Sequence, residues 1–236
     1  MSVSRNEMQK ILAVIPARGG SRGIPGKNLI DVGGKPLIEH TINSALDSKR
    51  IDKVIVSTDS EEIASKARSL GVDVPYMRAK SLSEDNTPSS LVILDAIKRI
   101  PGYSVVLMLQ PTSPLRTGDD IENALDLFLA NDKCALISVS EDFVSPYWSF
   151  SLRDDGNLAP LFSKYLSVGR QKLPKTYSPN GAIYISQVKD FEDQKTFFQK
   201  QLIPYLMPVG RSIDIDDYSD LELARNIILQ NQKTSD

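Results

Sequence analysis

At 236 residues, 41% hydrophobic and 25% charged, the chain has the make-up of a globular protein long enough to bury a sizeable core. A formal charge of -2 offers no broad basic face for nucleic acid or a membrane surface, so an anionic ligand must be met by a local cluster of cations. One histidine, His40, and one cysteine, Cys134, exclude a histidine-rich zinc site and an internal disulfide. Carboxylates, cations and a metal are left to carry any chemistry.

Along the chain, Ile11-Leu12-Ala13-Val14-Ile15 predicts a buried strand, and it opens into Pro16-Ala17-Arg18-Gly19-Gly20-Ser21-Arg22-Gly23-Ile24-Pro25-Gly26-Lys27-Asn28. Glycines let backbone N–H groups approach phosphate oxygens, and Arg18, Arg22 and Lys27 supply charge. The Walker spacing fails because five residues separate Gly20 from Gly26 and Asn28 follows the lysine; no G-x-G-x-x-G fingerprint occurs either. Leu37, Ile38, Thr41, Ile42, Ala45 and Leu46 then repeat at helical spacing behind Pro36, a helix that places His40 in a structural role. Val54-Ile55-Val56 reads as a second strand ending in Ser57, Thr58 and Asp59, with Ser60 capping a helix through Ile63, Ala67 and Leu70 to Gly71.

Val72-Asp73-Val74 continues the alternation into a loop that carries Arg78, and Thr87-Pro88 starts the next helix. Val105-Val106-Leu107-Met108-Leu109 predicts a short buried strand, followed by Gln110-Pro111-Thr112-Ser113-Pro114-Leu115-Arg116. Thr117 to Asp120 opens a helix with Ile121, Leu125, Phe128 and Leu129 on one face, and Ala135 to Val139 is the next strand. Cys134, beside Ala135-Leu136-Ile137, reads as an inert core thiol. Such alternation predicts an α/β fold, mainly a parallel sheet with helices on both faces and ligands at the carboxyl ends of the strands. Between 141 and 178 it breaks down, where Pro146, Tyr147, Trp148, Pro160 and Pro174 interrupt any period. Residues 1–140 plus 179–236 are therefore expected to form one domain, with 141–178 a small inserted subdomain whose aromatics suit an interface.

Ile213 and Ile215 alternate with Asp214 and Asp216, so an extended backbone turns the two carboxylates to one side while the isoleucines enter the core. A paired set of hard oxygen ligands suits Mg²⁺, with Mn²⁺ as an alternative. Asp217 or Ser219 then caps a helix through Leu221, Ala224 and Ile228, and Gln230 to Asp236 is expected to be disordered. The first ten residues carry no apolar stretch and no run is long enough to span a bilayer, which predicts a cytoplasmic protein.

The loop Pro16 to Asn28 resembles the opening motif of the acylneuraminate cytidylyltransferases. Asp214-Ile215-Asp216 matches that family's metal motif, and Asn180-Gly181-Ala182-Ile183-Tyr184 continues a resemblance that spans nearly the whole chain. It implies a Rossmann-like nucleotide-binding domain and transfer of CMP from CTP to the anomeric hydroxyl of a nonulosonic acid, with N-acetylneuraminic acid the expected acceptor. Ala17, Arg18, Gly19, Ser21, Lys27 and Asn28 would hold the nucleotide together with Ser57, Asp59 and Arg78. Gln110, Arg170, Tyr184, Phe197 and Phe198 would face the sugar acid, Arg170 by pairing with its carboxylate. Arg18, Lys27 and Asp216 are the expected catalytic groups, the hydroxyl proton going to Asp216 or to a metal-bound hydroxide. The resemblance also implies a homodimer that exchanges the inserted segment.

Two departures bear on the acceptor. Trp148 stands near the position where some sialate-specific relatives carry a lysine, and its Ser-Pro-Tyr-Trp setting resembles members acting on legionaminic or pseudaminic acids. Octulosonate cytidylyltransferases carry Gln-Gly-Asp-Glu-Pro where this chain has Gln110-Pro111-Thr112-Ser113-Pro114. From a different class, a noncatalytic nucleotide-binding regulatory module would keep the glycines and Arg18 but has no use for the aspartate pair.

Overall fold

The computed structural model describes residues 9–21, 23–131 and 135–235, so the expectations for Arg22 and Cys134 fall outside the described residues. The chain opens with β1 (Ile11–Pro16), the short hairpin β2 (Asp31–Val32) and β3 (Lys35–Pro36), α1 (Leu37–Leu46), β4 (Lys53–Ser57) and α2 (Glu61–Ser69). It continues through α3 (Ser89–Arg99), β5 (Val105–Met108), α4 (Gly118–Leu129) and β6 (Ala135–Glu141). A hairpin of β7 (Phe150–Leu152) and β8 (Leu158–Pro160) precedes β9 (Tyr177–Gln187), α5 (Val188–Gln194), β10 (Leu202–Leu206) and α6 (Tyr218–Ser235). No described helix is long and apolar enough to cross a membrane.

Among the described residues six strands form one sheet in the order β10-β6-β9-β5-β1-β4. β1 pairs in parallel with β4 and β5, and β10 with β6, while β9 runs antiparallel to both β5 and β6. The mainly parallel sheet therefore holds, with a single reversed strand at its seam. Alternation along β1 sorts its side chains to two faces. Ile11, Ala13 and Ile15 join Ile38, Ile42, Ile63, Leu125 and Phe128, which places α1, α2 and α4 on one side. Leu12 and Val14 join Ile93, Ile97 and Phe191, which places α3 and α5 on the other. Covering on both faces explains why β1 is apolar at every position from Ile11 to Ile15.

A third cluster locks the functional end together. Ile24 of the glycine-rich loop and Ile215 of the aspartate segment pack with Val32, Leu37, Leu221 and Ala224, so α6 is seated against that loop. No residue from 141 to 179 is buried, and that stretch contributes nothing to the three clusters.

Several elements depart from the sequence expectations. Residues 72–77 run beside β4 only through the isolated bridges Ile55–Asp73 and Thr58–Met77, because Asp73 and Pro75 break a continuous ladder. The 213–216 segment is not a strand, yet its alternation survives: Ile215 is fully buried and Ile213 packs on the third cluster. Residues 230–235, expected to be disordered, continue α6, where the Gln232 side chain donates to the Gly33 carbonyl at 3.1 Å. β10 and α5 have no clear signature in the sequence; Pro204 interrupts β10, which is tolerated because β10 lies at the sheet edge.

Candidate active site

The loop after β1 is held in shape by its own polar groups. The Asn28 side chain donates to the Arg18 carbonyl at 2.9 Å, and the Gly19 N–H donates to Asp59 Oδ1 at 2.8 Å. Gly23 lies so close to the aspartate segment that a Cβ there would sit 2.4 Å from the Asp216 carbonyl oxygen. Lys27 closes the loop from the far side: its Nζ donates to the Ile215 carbonyl at 2.8 Å and stands 3.6 Å from Asp216 Oδ1. The Ile215 N–H in turn donates to the Thr112 carbonyl at 2.8 Å, which ties the segment to the turn after β5.

These contacts surround a polar cavity of about 230 Å³. Arg18, Ser21, Lys27 and Asn28 line one side of it; Gln110 and Thr112, with Asp214 and Asp216, line the other. Asp214 Oδ1 is buried with no hydrogen-bond partner. Burial pushes the Asp214 carboxyl up from its usual range, with a hydrogen bond from Thr112 opposing and the charge of Asp216 adding to the rise. An unmatched buried carboxylate oxygen beside a second carboxylate fits a divalent cation. Among the described residues no third Asp, Glu, His or Cys joins the pair. A cation here would fill its shell with water and phosphate oxygens, as Mg²⁺ does.

Beside it lies a second cavity, also of about 230 Å³, walled by Met108, Tyr184, Phe197 and Phe198, with Ser89 and Ser90 from the start of α3. Gln110 lines both cavities. The meeting point is made by Gly181, at φ +76°, where a Cβ would fall 2.8 Å from Asp214 Oδ2 and 3.0 Å from Gln110 Oε1. Only glycine leaves the room and adopts that backbone without strain. Burial, with the nearby Asp214 charge adding, pushes the Tyr184 hydroxyl up to about 12, so it stays protonated. Phe197 is buried against Phe191 and Tyr184, whereas Phe198 is 60% exposed at the cavity mouth.

Other predicted residues stand apart. Arg170 lies in the inserted segment, where its guanidinium donates to the Phe143 carbonyl at 3.1 Å and lines neither cavity of its own chain. Arg78 and Ser57 are buried against each other, Arg78 Nε donating to Ser57 Oγ at 3.1 Å and Nη2 to the Ser57 carbonyl. Burial works against the Arg78 charge, while Asp59 supports it. Ala17 is fully buried in the first core cluster, and Gly19 and Asp59 bond each other.

Sequence reasoning passed over Arg116. Its guanidinium is fully buried beneath the junction of the cavities, Nη1 donating to the carbonyls of Gln110 at 3.2 Å and Ala182 at 2.8 Å. It also passed over Asn180, whose Oδ1 accepts from Ser138 at 2.6 Å and whose Nδ2 donates to Ser212 at 2.9 Å. Together these bonds fix the irregularity in the β6–β9 pairing that sets Gly181. The only signal for either was its place in a quoted motif.

A glycine-rich basic loop at the carboxyl end of an inner parallel strand, facing a carboxylate pair across a polar cavity, is the layout of a nucleotide-binding α/β protein. More particularly, the chain belongs to the cytidylyltransferase family, whose model matches residues 12–207. It is 37% identical to the CMP-N,N'-diacetyllegionaminic acid synthase of Legionella pneumophila over 230 residues, covering 95% of this chain and 98% of that one. It is 36% identical to an N-acylneuraminate cytidylyltransferase of Escherichia coli O18:K1:H7 over 225 residues, covering 95% of this chain and 53% of that longer protein. Among solved structures, a CMP:2-keto-3-deoxy-manno-octonic acid synthetase complexed with CTP superposes with a TM-score of 0.73 at 18% identity, covering 94% of this chain and 99% of that one. That likeness shows a Rossmann-like α/β fold.

Proposed function

We propose that this cytidylyltransferase moves CMP from CTP to the anomeric hydroxyl of a nonulosonic acid and releases pyrophosphate. The observation that carries the reading is Gln110 at the shared wall of two cavities, one lined by cations and carboxylates, the other by aromatic rings. The nucleotide's phosphates occupy the first and the sugar acid the second, so the two reactants meet over Gly181. Arg18 and Lys27 lie where negative charge grows on the leaving pyrophosphate. The sugar oxygen forms its bond to the α-phosphorus in line as the bond to the bridging oxygen breaks, pyrophosphate leaving with the electron pair. Asp216, whose carboxylate is largely exposed to the cavity, takes the hydroxyl proton. Asp214 and Asp216 would hold Mg²⁺, or Mn²⁺ in its place; such an ion supplies Lewis-acid stabilisation of phosphate charge when bound.

N-acetylneuraminic acid is the acceptor the motifs point to. A second reading, legionaminic acid, is favoured by two observations: similarity to the Legionella synthase over nearly the full length of both chains, and Trp148 in place of a lysine. Ser57, Asp59 and Arg78 support the nucleotide end by holding the loop and the strand end rather than by lining the cavity.

We further infer a homodimer built on the inserted segment. Phe143, Val144, Leu152, Leu158 and Leu161 are each more than half exposed there, an apolar surface that a second copy would cover. Arg170 from the paired copy would then reach the sugar carboxylate that its own chain leaves unpaired.

Pyrophosphate release from CTP and Mg²⁺ tests the whole reading with a panel of N-acetylneuraminic, legionaminic, pseudaminic and 3-deoxy-octulosonic acids. Turnover with a nonulosonic acid is expected, and the preferred member names the acceptor. CTP binding with no turnover on any sugar would favour the noncatalytic nucleotide-binding module.

A further inference from the structure

Arg18 has a carboxylate partner of its own: its Nη1 lies 2.6 Å from Asp85 Oδ1. Asp85 belongs to the turn between the single 3-10 turn Lys80–Leu82 and α3, and that turn walls a separate polar cavity of about 430 Å³ with Ser83, Glu84 and Asn86. Arg18 and Gly20 line this cavity and the phosphate-side cavity alike, so the Arg18 side chain forms the partition between them. The turn is anchored at its base. The Arg78 N–H donates to the Thr58 carbonyl at 2.7 Å, Ser83 Oγ to the Ala79 carbonyl at 3.2 Å, and Thr87 Oγ1 to the Ser81 carbonyl at 3.2 Å.

We propose that Asp85 is a positioning residue that competes with phosphate for Arg18: it holds the guanidinium across the partition when the loop is empty and yields it to the nucleotide. The inference rests on the reading of Arg18 as a phosphate-binding cation. Both members of the pair are about one-third exposed, 30% and 35%, so water screens their attraction and the pair is readily exchanged. Phosphate oxygens offer the same guanidinium a charge-assisted, two-pronged partner, which wins the exchange. After the transfer step the product pyrophosphate must give Arg18 up. Asp85, fixed on its anchored turn, is the carboxylate placed to take it back, and its charge repels the departing anion. The residue therefore weakens ground-state binding of the polyphosphate and speeds product departure, a division of labour in which Arg18 serves two partners in turn.

Isothermal titration of the full chain with CTP and, separately, with inorganic pyrophosphate gives the test, using wild type, D85N, R18A and the double variant. D85N is isosteric and removes the charge that competes for Arg18. It should bind both anions about twofold to fivefold more tightly. In steady state, pyrophosphate inhibition should strengthen by the same factor while KM for the sugar acid stays constant. D85E should return affinities toward wild type, and in the R18A background D85N should change nothing, a result that mere structural support by Asp85 would not give. D85S serves if D85N does not fold. Unchanged or weaker anion binding in D85N, with R18A still weakening both anions, would overturn the exchange and leave Arg18's assignment standing. R18A that binds both anions as wild type does would instead overturn the reading of Arg18 itself.

Discussion

Lys27 has two tasks that a substitution can separate. It donates to the Ile215 carbonyl at 2.8 Å, a bond worth about 1 kcal/mol, and it brings a cation to the polar cavity. Lys27→Ala should therefore cost about 10²–10³ in turnover, read as pyrophosphate release, with only a small drop in Tm. Gly181→Ala should do comparable damage for a steric reason: a Cβ 2.8 Å from Asp214 Oδ2 must displace the carboxylate, on top of about 1–2 kcal/mol for an alanine at φ +76°. A fully active Gly181→Ala chain would show that the Asp214–Gln110 junction does not matter. Asp216→Ala should abolish magnesium-dependent release while circular dichroism stays unchanged, because that side chain is 83% exposed and holds no core contact. The two-residue alternation of 213–216 made the Asp214 and Asp216 pair legible, and the strand end marked Arg18, whereas Gln110 and Tyr184 entered only through the family resemblance. Arg116 was not, and the seats of Arg78 on Ser57 and Arg170 on the Phe143 carbonyl were not either, since where a long cationic side chain lands depends on neighbours distant in sequence.

Helix α4 shows how an element fixes the site from behind. Thr117 and Asp120 form a capping box, Asp120 being fully buried and also bonded to Arg211 at 2.7 Å and to the Tyr205 hydroxyl at 3.1 Å. Arg211 leads directly into the aspartate segment, so the helix cap and the backbone that carries Asp214 and Asp216 share one carboxylate. Burial alone would raise Asp120, but the Arg211 and Thr117 hydrogen bonds outweigh it and hold the group below the usual carboxylate range. A depressed folded-state value stabilises the fold above the unfolded carboxylate's pKa of about 3.9, and this contribution is lost as pH falls through the folded value. Asp120→Asn should accordingly flatten the acid limb of a urea-denaturation series, and Thr117→Ala should cost about 1 kcal/mol at neutral pH. A slope unchanged in Asp120→Asn would mean other carboxylates set the acid limb. The cap at Thr117 was plain in the sequence, as was the alternation of strands and helices. β10 and the reversal of β9 were not, because strand direction is set by partners and not by composition.

Across the whole molecule, the three buried clusters stop at the sheet and leave the 141–179 stretch outside. Leu152 and Leu158 face each other across β7 and β8, at 72% and 63% exposure, with no core of their own to enter. To test the proposed dimer, Leu152→Asp combined with Leu158→Asp should lower the sedimentation coefficient to that of a monomer, keep CTP binding and lower turnover with the sugar acid. An unaltered sedimentation coefficient would remove this hairpin from the interface. The irregular composition marked this stretch in the sequence, although its short hairpin and turns carry no period from which to derive them.

The reversed β9 also sets an order of assembly during synthesis. β4, β1 and β5 are complete once Met108 has emerged, but the outer edge of β5 pairs with a strand that ends only at Gln187. At roughly 5–20 residues per second a ribosome leaves that apolar edge uncovered for several seconds, open to pairing with a neighbouring nascent chain. The nucleotide end is thus laid down early, and the seam where Gln110, Gly181 and Asp214 meet closes last. Translation slowed between those points should therefore raise aggregation of this chain more than the same delay placed after β9.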